Sequence, residues 1–369
     1  MGLQIAFRVD ASLQSGAGHV MRCLTLANAL RAQGAKCRFV CRQQPGNLID
    51  LLRQHEYEVL TLPLSSNIVP QAASASPYAG WLMTSWETDA QQTAALLASA
   101  GRQDWVVVDH YALDAQWERA IATCCQHLLV IDDLADRPHC ADLLLDQTFG
   151  RTAADYAGLT TPECELRCGV EYVLLRPEFD AWRRNSLERR RMGELKRIVV
   201  SLGGVDQENL SRDVLLALRD ARLPIELEVC LVLGAGSPWI EETRQLAATL
   251  PGIELKVAAN NMAELLSECD LAVGAAGSSA WERCCLGVPT LMLVLADNQR
   301  EIAAQLSAAG AAALLSQGPD LHVKIVQAVE MMKASPERLT EMSTKAAALV
   351  PGSGVGRIVL DMMETLPCQ

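Results

Sequence analysis

No Cys-x-x-Cys pair occurs in this chain of 369 residues, although it carries 13 cysteines. Cys37 and Cys41 are four apart, as are Cys164 and Cys168, and two further pairs, Cys124-Cys125 and Cys284-Cys285, are adjacent. Without a second ligand pair nearby, none of these spacings suits zinc. The cysteines read as small core hydrophobes kept reduced, which implies a reducing compartment. Positive charge is also in short supply: 32 Lys and Arg stand against 44 Asp and Glu, a net charge of −12. That excludes non-specific binding to nucleic acid or to an anionic membrane surface. Long apolar runs are missing too. The run around Val288–Ala296 is too short to span a bilayer, and Arg8 and Asp10 interrupt any signal-peptide core. A cytoplasmic protein, monomeric and not bound to membranes, is expected. There is no short-period repeat, no low-complexity stretch, no Walker motif and no complete Gly-x-Gly-x-x-Gly. No DxD-type pair stands in a metal-binding position, so neither metal nor cofactor is expected.

What is present is an alternation of apolar runs and amphipathic patterns along the whole chain. Strands are expected at Gln4–Val9, Lys36–Cys41, Val59–Leu62, Trp105–Asp109, His127–Ile131 and Asp142–Leu145, with helical patterns between most of them. Asp155 to Arg167 reads as loop and short turns. The arginine-rich stretch Trp182–Lys196 reads as a solvated connecting helix. A second series starts at Lys196, with strands at Glu226–Leu233, Glu254–Val257, Leu271–Val273, Thr290–Leu295 and Ala312–Leu315. Both halves repeat strand, glycine turn, helix. The expected fold is therefore α/β, with two Rossmann-like domains of parallel sheet facing an interdomain cleft. The boundary is expected at 176/177, with the last helix, Val355–Thr365, belonging to either domain.

The richest chemistry lies in the first strand–loop–helix. Gly16 and Gly18 permit a tight turn and close approach of a ligand, and a helix N-terminus suits phosphate. His19 stands at that helix start as a candidate base, so a phosphate site and a base share one turn. Asp10, where the strand ends, is a candidate to orient His19. Asp109, His110 and Tyr111 emerge at the end of a buried strand, with His110 a rival base; Asp132-Asp133, at the end of the next strand, are candidates to orient a histidine or a loop, with at most one of them facing the cleft. In the second half, Gly203-Gly204 close a strand and suit a diphosphate or merely a tight turn. A helix capped by Ser278 or Ser279 follows a run of small residues, and Glu282 in its first turn suits ribose hydroxyls or simply the helix dipole. Asn298 and Gln299 form a polar turn after another apolar strand.

Taken together, these segments resemble nucleotide-sugar enzymes of the GT-B type. More narrowly, they resemble the hydrolases of UDP-2,4-diacetamido-2,4,6-trideoxy sugars in pseudaminic acid biosynthesis. The resemblance runs through Arg8–Ser12, Gly16–Arg22, Val108–Tyr111, Ile131–Ala135, Arg167–Gly169, Leu174–Phe179, Leu202–Asp206, Gly274–Pro289 and Asn298-Gln299. It implies a catalytic histidine at His19 and a tyrosine near the reacting centre at Tyr111. It also implies a diphosphate-binding arginine at Arg176, and UDP-sugar contacts from Glu282 and Asn298. Gln147 departs from the asparagine more usual in the family. The implied reaction is attack of water, activated by His19, on the anomeric carbon opposite the departing UDP, with charge on the diphosphate met by helix N-termini, the Gly203-Gly204 amides and Arg176. Transfer to a separate acceptor, epimerisation of a UDP-sugar, or nucleotide-sugar sensing without turnover would use the same scaffold.

Overall fold

The computed structural model describes residues 2–64, 77–221, 223–224 and 226–365. The chain divides into two units: Met1–Leu174 together with Gly354–Gln369, and Leu175–Ser353.

Unit 1 is built on a parallel sheet of seven strands: β1 (Gln4–Val9), β2 (Lys36–Arg42), β3 (Glu58–Leu62), β4 (Gln103–Asp109), β5 (Cys125–Ile131), β6 (Leu143–Asp146) and β7 (Glu165–Cys168). Their order is β3-β2-β1-β4-β5-β6-β7. The central strands read as near-continuous apolar runs because both faces are covered. Phe7 and Val107 belong to one buried cluster, while Ala6 and Val106 belong to the other. The order reverses between β1 and β4, where Val9 pairs with Asp109. That reversal is where open α/β sheets place ligands.

Unit 2 repeats the plan with six strands: β8 (Arg197–Ser201), β9 (Glu228–Leu233), β10 (Ile253–Val257), β11 (Leu271–Ala275), β12 (Thr290–Leu293) and β13 (Ala313–Leu314). The order is β10-β9-β8-β11-β12-β13, and it reverses between β8 and β11, where Ser201 pairs with Gly274. Both glycine turns of the second half therefore leave the sheet at its switch point.

Three expectations are corrected. The stretch expected to be loop and short turns does open on a 3-10 turn, Ala153–Tyr156, but it ends in the edge strand β7, whose only large apolar residue, Leu166, leaves no run to read. A helix not foreseen, Pro336–Leu349, opens with proline at its first position, where the missing N–H costs nothing. The arginine-rich stretch is helical and solvated only in part, with Arg184 and Arg191 exposed. Helix Pro177–Arg189 ends in a 3-10 turn, Arg190–Met192, and Arg190 is buried. The Arg190 guanidinium donates to the carbonyls of Ser186, Leu266, Cys269 and Leu286. Arg183 donates to those of Cys285, Ala347 and Val350, and Arg189 pairs with Asp270. Arg190 and Arg183 thus satisfy carbonyls that helix ends leave unpaired.

Helix Val355–Glu364 returns to unit 1. Val355, Ile358, Val359 and Met362 fall on one face and enter the core that contains Trp105, whose Nε1 donates to the Met362 carbonyl at 3.0 Å.

Candidate active site

At the β1/β4 switch point, the chain leaves β1 through a loop in which Gly16 takes a left-handed φ of 74°. A helix then begins at Gly18 with no side-chain cap. His19, in its first turn, is buried except for about a tenth of its side chain. Its Nδ1 lies 2.6 Å from Asp109 Oδ1 at the end of β4. A carboxylate there fixes Nδ1 as the protonated nitrogen of the neutral ring. Nε2 is left with its lone pair, and among the described residues nothing bonds it.

Arg22 stands three residues on, on the same helix face. Its Nε and Nη2 bond both oxygens of Asp109 at 2.6 and 2.7 Å, and Nη1 reaches Asp133 at 2.7 Å. Burial alone would raise the Asp109 carboxyl, but Arg22 and His19 beside it hold it well below the usual carboxylate range. Tyr111 donates its hydroxyl to Asp133 at 2.6 Å and sets its ring edge-on to His19, with centroids 4.6 Å apart. Burial, with the Asp133 charge, pushes the Tyr111 phenol well above its ordinary value. It therefore stays a phenol, and its ring is what it presents to His19. With the imidazole neutral, Arg22, Asp109 and Asp133 together carry one negative charge; a proton taken at Nε2 cancels it.

Asp10 does not orient His19; Asp109 does. The Asp10 carboxylate is buried and accepts from Arg8, from the Arg42 amide at 2.7 Å and from Gln44. Its oxygens are taken up by Arg8, by Arg42 and Gln44 at the end of β2, and lie near His110, while His19 Nδ1 is held by Asp109. Enclosed in this way, it also has no open face for a substrate. Arg8 and Arg42 share a second buried carboxylate, Asp89. His110 is enclosed as well: its Nδ1 accepts from the Ala112 amide, Nε2 lies 3.5 Å from Asp10, and burial drives its pKa down to about 4. It is a neutral core histidine with no open face. Asp132 and Asp133 diverge, as adjacent residues leaving a strand do. Asp132 accepts from Arg137 and Tyr156, away from His19. Gln147 is buried and accepts the Leu174 amide.

In unit 2, Gly203 follows β8 with φ 92°, and neither Gly203 nor Gly204 has an atom within 4 Å of where a side chain would stand. The backbone there is open to a ligand. Ser278 does not cap the helix Ser279–Cys285: it is already helical, at φ −53° and ψ −29°, and makes no capping bond. Ser279 accepts instead from Arg283, whose guanidinium also donates to the Ala275 carbonyl at 2.6 Å. Gly274 is required beneath it, since a Cβ would lie 2.7 Å from Arg283 Nη1. Arg176 lies over the Phe179 ring, 3.0 Å from Glu178 and 3.6 Å from Glu282. Burial pushes the Glu282 carboxyl up, against the pull of Arg176 and Arg283. Asn298 sits half-buried in the 3-10 turn Asp297–Gln299, and Gln299 braces that turn by accepting the Leu295 amide at 2.9 Å.

Sequence reasoning missed the roles of Arg22 and Asp109, and missed Tyr78 and Trp81 altogether; of the pair Asp132-Asp133 it is Asp133 that stands at the site, bonding Arg22 and Tyr111 rather than the histidine itself. The three-residue spacing of His19 and Arg22 was the available signal for the first. Nothing local marks Trp81, because its neighbours at the site come from distant segments. Among the described residues, no group of three or more His, Cys, Asp or Glu is arranged to hold a metal. No helix among them is long and apolar enough to cross a membrane.

Residues 197–352 match the model of the glycosyltransferase family 28 C-terminal domain. The chain is 25% identical over 308 residues to the UDP-2,4-diacetamido-2,4,6-trideoxy-beta-L-altropyranose hydrolase of Campylobacter jejuni, covering 84% of this chain and 97% of that protein. It is 31% identical over 199 residues to the spore coat polysaccharide biosynthesis protein SpsG of Bacillus subtilis, covering 53% of this chain and 57% of that one. Among solved structures, MurG of Acinetobacter baumannii superposes with a TM-score of 0.68 at 17% identity, over 98% of this chain and 99% of that one. The chain thus has the GT-B fold, carries the family 28 C-terminal match over residues 197–352, and is similar along most of its length to a UDP-sugar hydrolase.

Proposed function

We propose that this protein hydrolyses a UDP-linked 2,4-diacetamido-2,4,6-trideoxy sugar, giving UDP and the free sugar with inversion at C1, as a step in making a nonulosonic acid of the pseudaminic type. The observation that carries the reading is the His19–Asp109 contact at the sheet's switch point, which holds the proton on Nδ1 and leaves the lone pair on Nε2. Water gives its proton to Nε2 as its oxygen bonds C1. The bond from C1 to the diphosphate oxygen breaks, and its electron pair leaves with UDP. Asp109 and Arg22 keep the ring in place and balance the imidazolium that forms. UDP is a weakly basic leaving group, so a second carboxylic acid of the kind most glycosidases use is not required.

Arg176, Gly203, Gly204 and Ser278 are assigned to the diphosphate, Glu282 to the ribose hydroxyls, Asn298 to the UDP-sugar and the Gly18 amide to an oxygen of the bound substrate. Asp10 is assigned an indirect role through Gln44. A second reading, transfer of the sugar to an acceptor, is favoured by the family 28 match. Incubation with the UDP-sugar and no acceptor separates the two. Free sugar and UDP in equal amounts, with the initial anomer opposite to that of the substrate by NMR, is the expected result. Turnover only with an added acceptor would replace hydrolysis by transfer.

A further inference from the structure

Aromatic residues make up 4% of the chain, yet three gather beside His19. Trp81 stacks on Tyr111 with centroids 5.6 Å apart and 30° between planes. Tyr78 leans on Trp81 at 4.9 Å and on Tyr111 at 5.2 Å. Trp81 also meets the His19 ring edge-on at 6.3 Å. Both Tyr78 and Trp81 are only half-buried, so part of this wall faces outward.

The wall is held in position. Leu82, next in the 3-10 turn Ala79–Leu82, is 1% exposed and anchored in the core. The Trp81 carbonyl accepts from Gln44 Nε2 at 2.8 Å, and Gln44 is itself buried and reaches Asp10. A buried polar chain from the end of β1 thus fixes an aromatic surface against the proposed base. Such a surface rewards methyl groups and C–H faces. A hydroxyl pressed on a ring face loses water and gains no strong hydrogen bond from that face. Arg22 and Asp109, beside His19, spend their polar atoms on one another, on Asp133 and on the His19 Nδ1.

We infer that Trp81, with Tyr78, is the specificity-determining wall of the sugar subsite, selecting sugars with acetamido methyls and a deoxy carbon over fully hydroxylated ones. This rests on the UDP-sugar hydrolase reading, and its test separates the two. Affinities of UDP-2,4-diacetamido-2,4,6-trideoxyhexose, UDP-glucose and UDP alone are measured by calorimetry in His19→Ala, with and without Trp81→Ala. UDP release by the wild type is measured in parallel. The expected result is a preference for the diacetamido sugar that shrinks about tenfold without Trp81, with UDP affinity unchanged. Trp81→Phe, which keeps an aromatic face, should retain most of it. An unchanged preference in Trp81→Ala, or an equal loss of affinity for UDP alone, overturns the inference. If the wild type releases no UDP but the preference still depends on Trp81, the wall stands and hydrolysis falls.

Discussion

His19 has two nitrogens, and the structure gives them separate work. Nδ1 is bonded to Asp109, while Nε2 is open. His19→Ala should lower kcat by roughly 10²–10⁴, the usual worth of a general base, and leave UDP affinity intact. Single-turnover kinetics beside UDP titration checks both parts; near-normal turnover would remove His19 from the mechanism. Asp109→Asn keeps the shape but offers an amide where a carboxylate should hold the proton on Nδ1, and a fall in kcat by a similar factor is expected. Tyr111→Phe should be much milder, within about tenfold in kcat, because Tyr111 meets His19 through its ring and its hydroxyl serves Asp133. A loss as large as that of His19→Ala would show instead that the phenol acts directly. At this scale the sequence was legible where chemistry is local, as at His19 with its glycine turn. It was not legible where one strand end chooses among several carboxylates. Asp10 and Asp109 both end strands beside the helix, and only side-chain direction, fixed by the packing of Arg8, Arg42 and Gln44, decides between them.

At the scale of elements, buried ion clusters tie helices to the sheet. Asp89, on helix Trp86–Ala100, receives Arg8 from β1, Arg42 from β2 and Trp117 from helix Ala115–Ile121. Burial alone would raise its carboxyl, but Arg8 and Arg42 bring it down to about 2. A carboxylate whose folded pKa is depressed adds stability at pH values above its unfolded pKa. That stability is lost as pH falls through the folded pKa. Asp89→Asn should therefore flatten the acid side of the stability profile between about pH 4 and pH 2. It should also cost about 3–5 kcal/mol near neutral pH, because two arginines lose a buried partner. Urea melts across pH check both effects; an unaltered acid limb would place the titrating group elsewhere. The glycine turn of unit 2 depends on a neighbour in the same way. A Cβ on Gly234 would run into the Gly204 carbonyl, so Gly234→Ala should displace the Gly203-Gly204 turn. Weaker UDP binding with an intact His19 environment, seen by calorimetry and by NMR of the imidazole, is the expected outcome. Strand positions were largely readable because apolar runs at buried strands are dense. β7 was not, since an edge strand has one short apolar contact to offer.

For the whole molecule, the repeated strand–turn–helix plan was legible because each half needs its own switch point, and each switch point announces itself by glycines. What the plan could not announce is where helix Val355–Glu364 belongs. Its amphipathic face fits either sheet by pattern; its packing in the Trp105 core, the Trp105 bond to Met362 and the Arg167–Asp361 pair decide. Removing residues 354–369 should therefore lower the melting transition of unit 1 and leave that of unit 2 nearly unchanged in a calorimetric scan. A uniform shift of both would contradict that division. The chain leaves unit 1 after Leu174 and re-enters it at Gly354, whose amide bonds the Val173 carbonyl at 2.8 Å. During synthesis, then, the seven-stranded sheet emerges before unit 2 but waits with one apolar flank uncovered until all of unit 2 has been made. A segment translated after unit 2 closes the unit begun before it, so it is the nascent flank around Trp105 that needs shielding while unit 2 is produced.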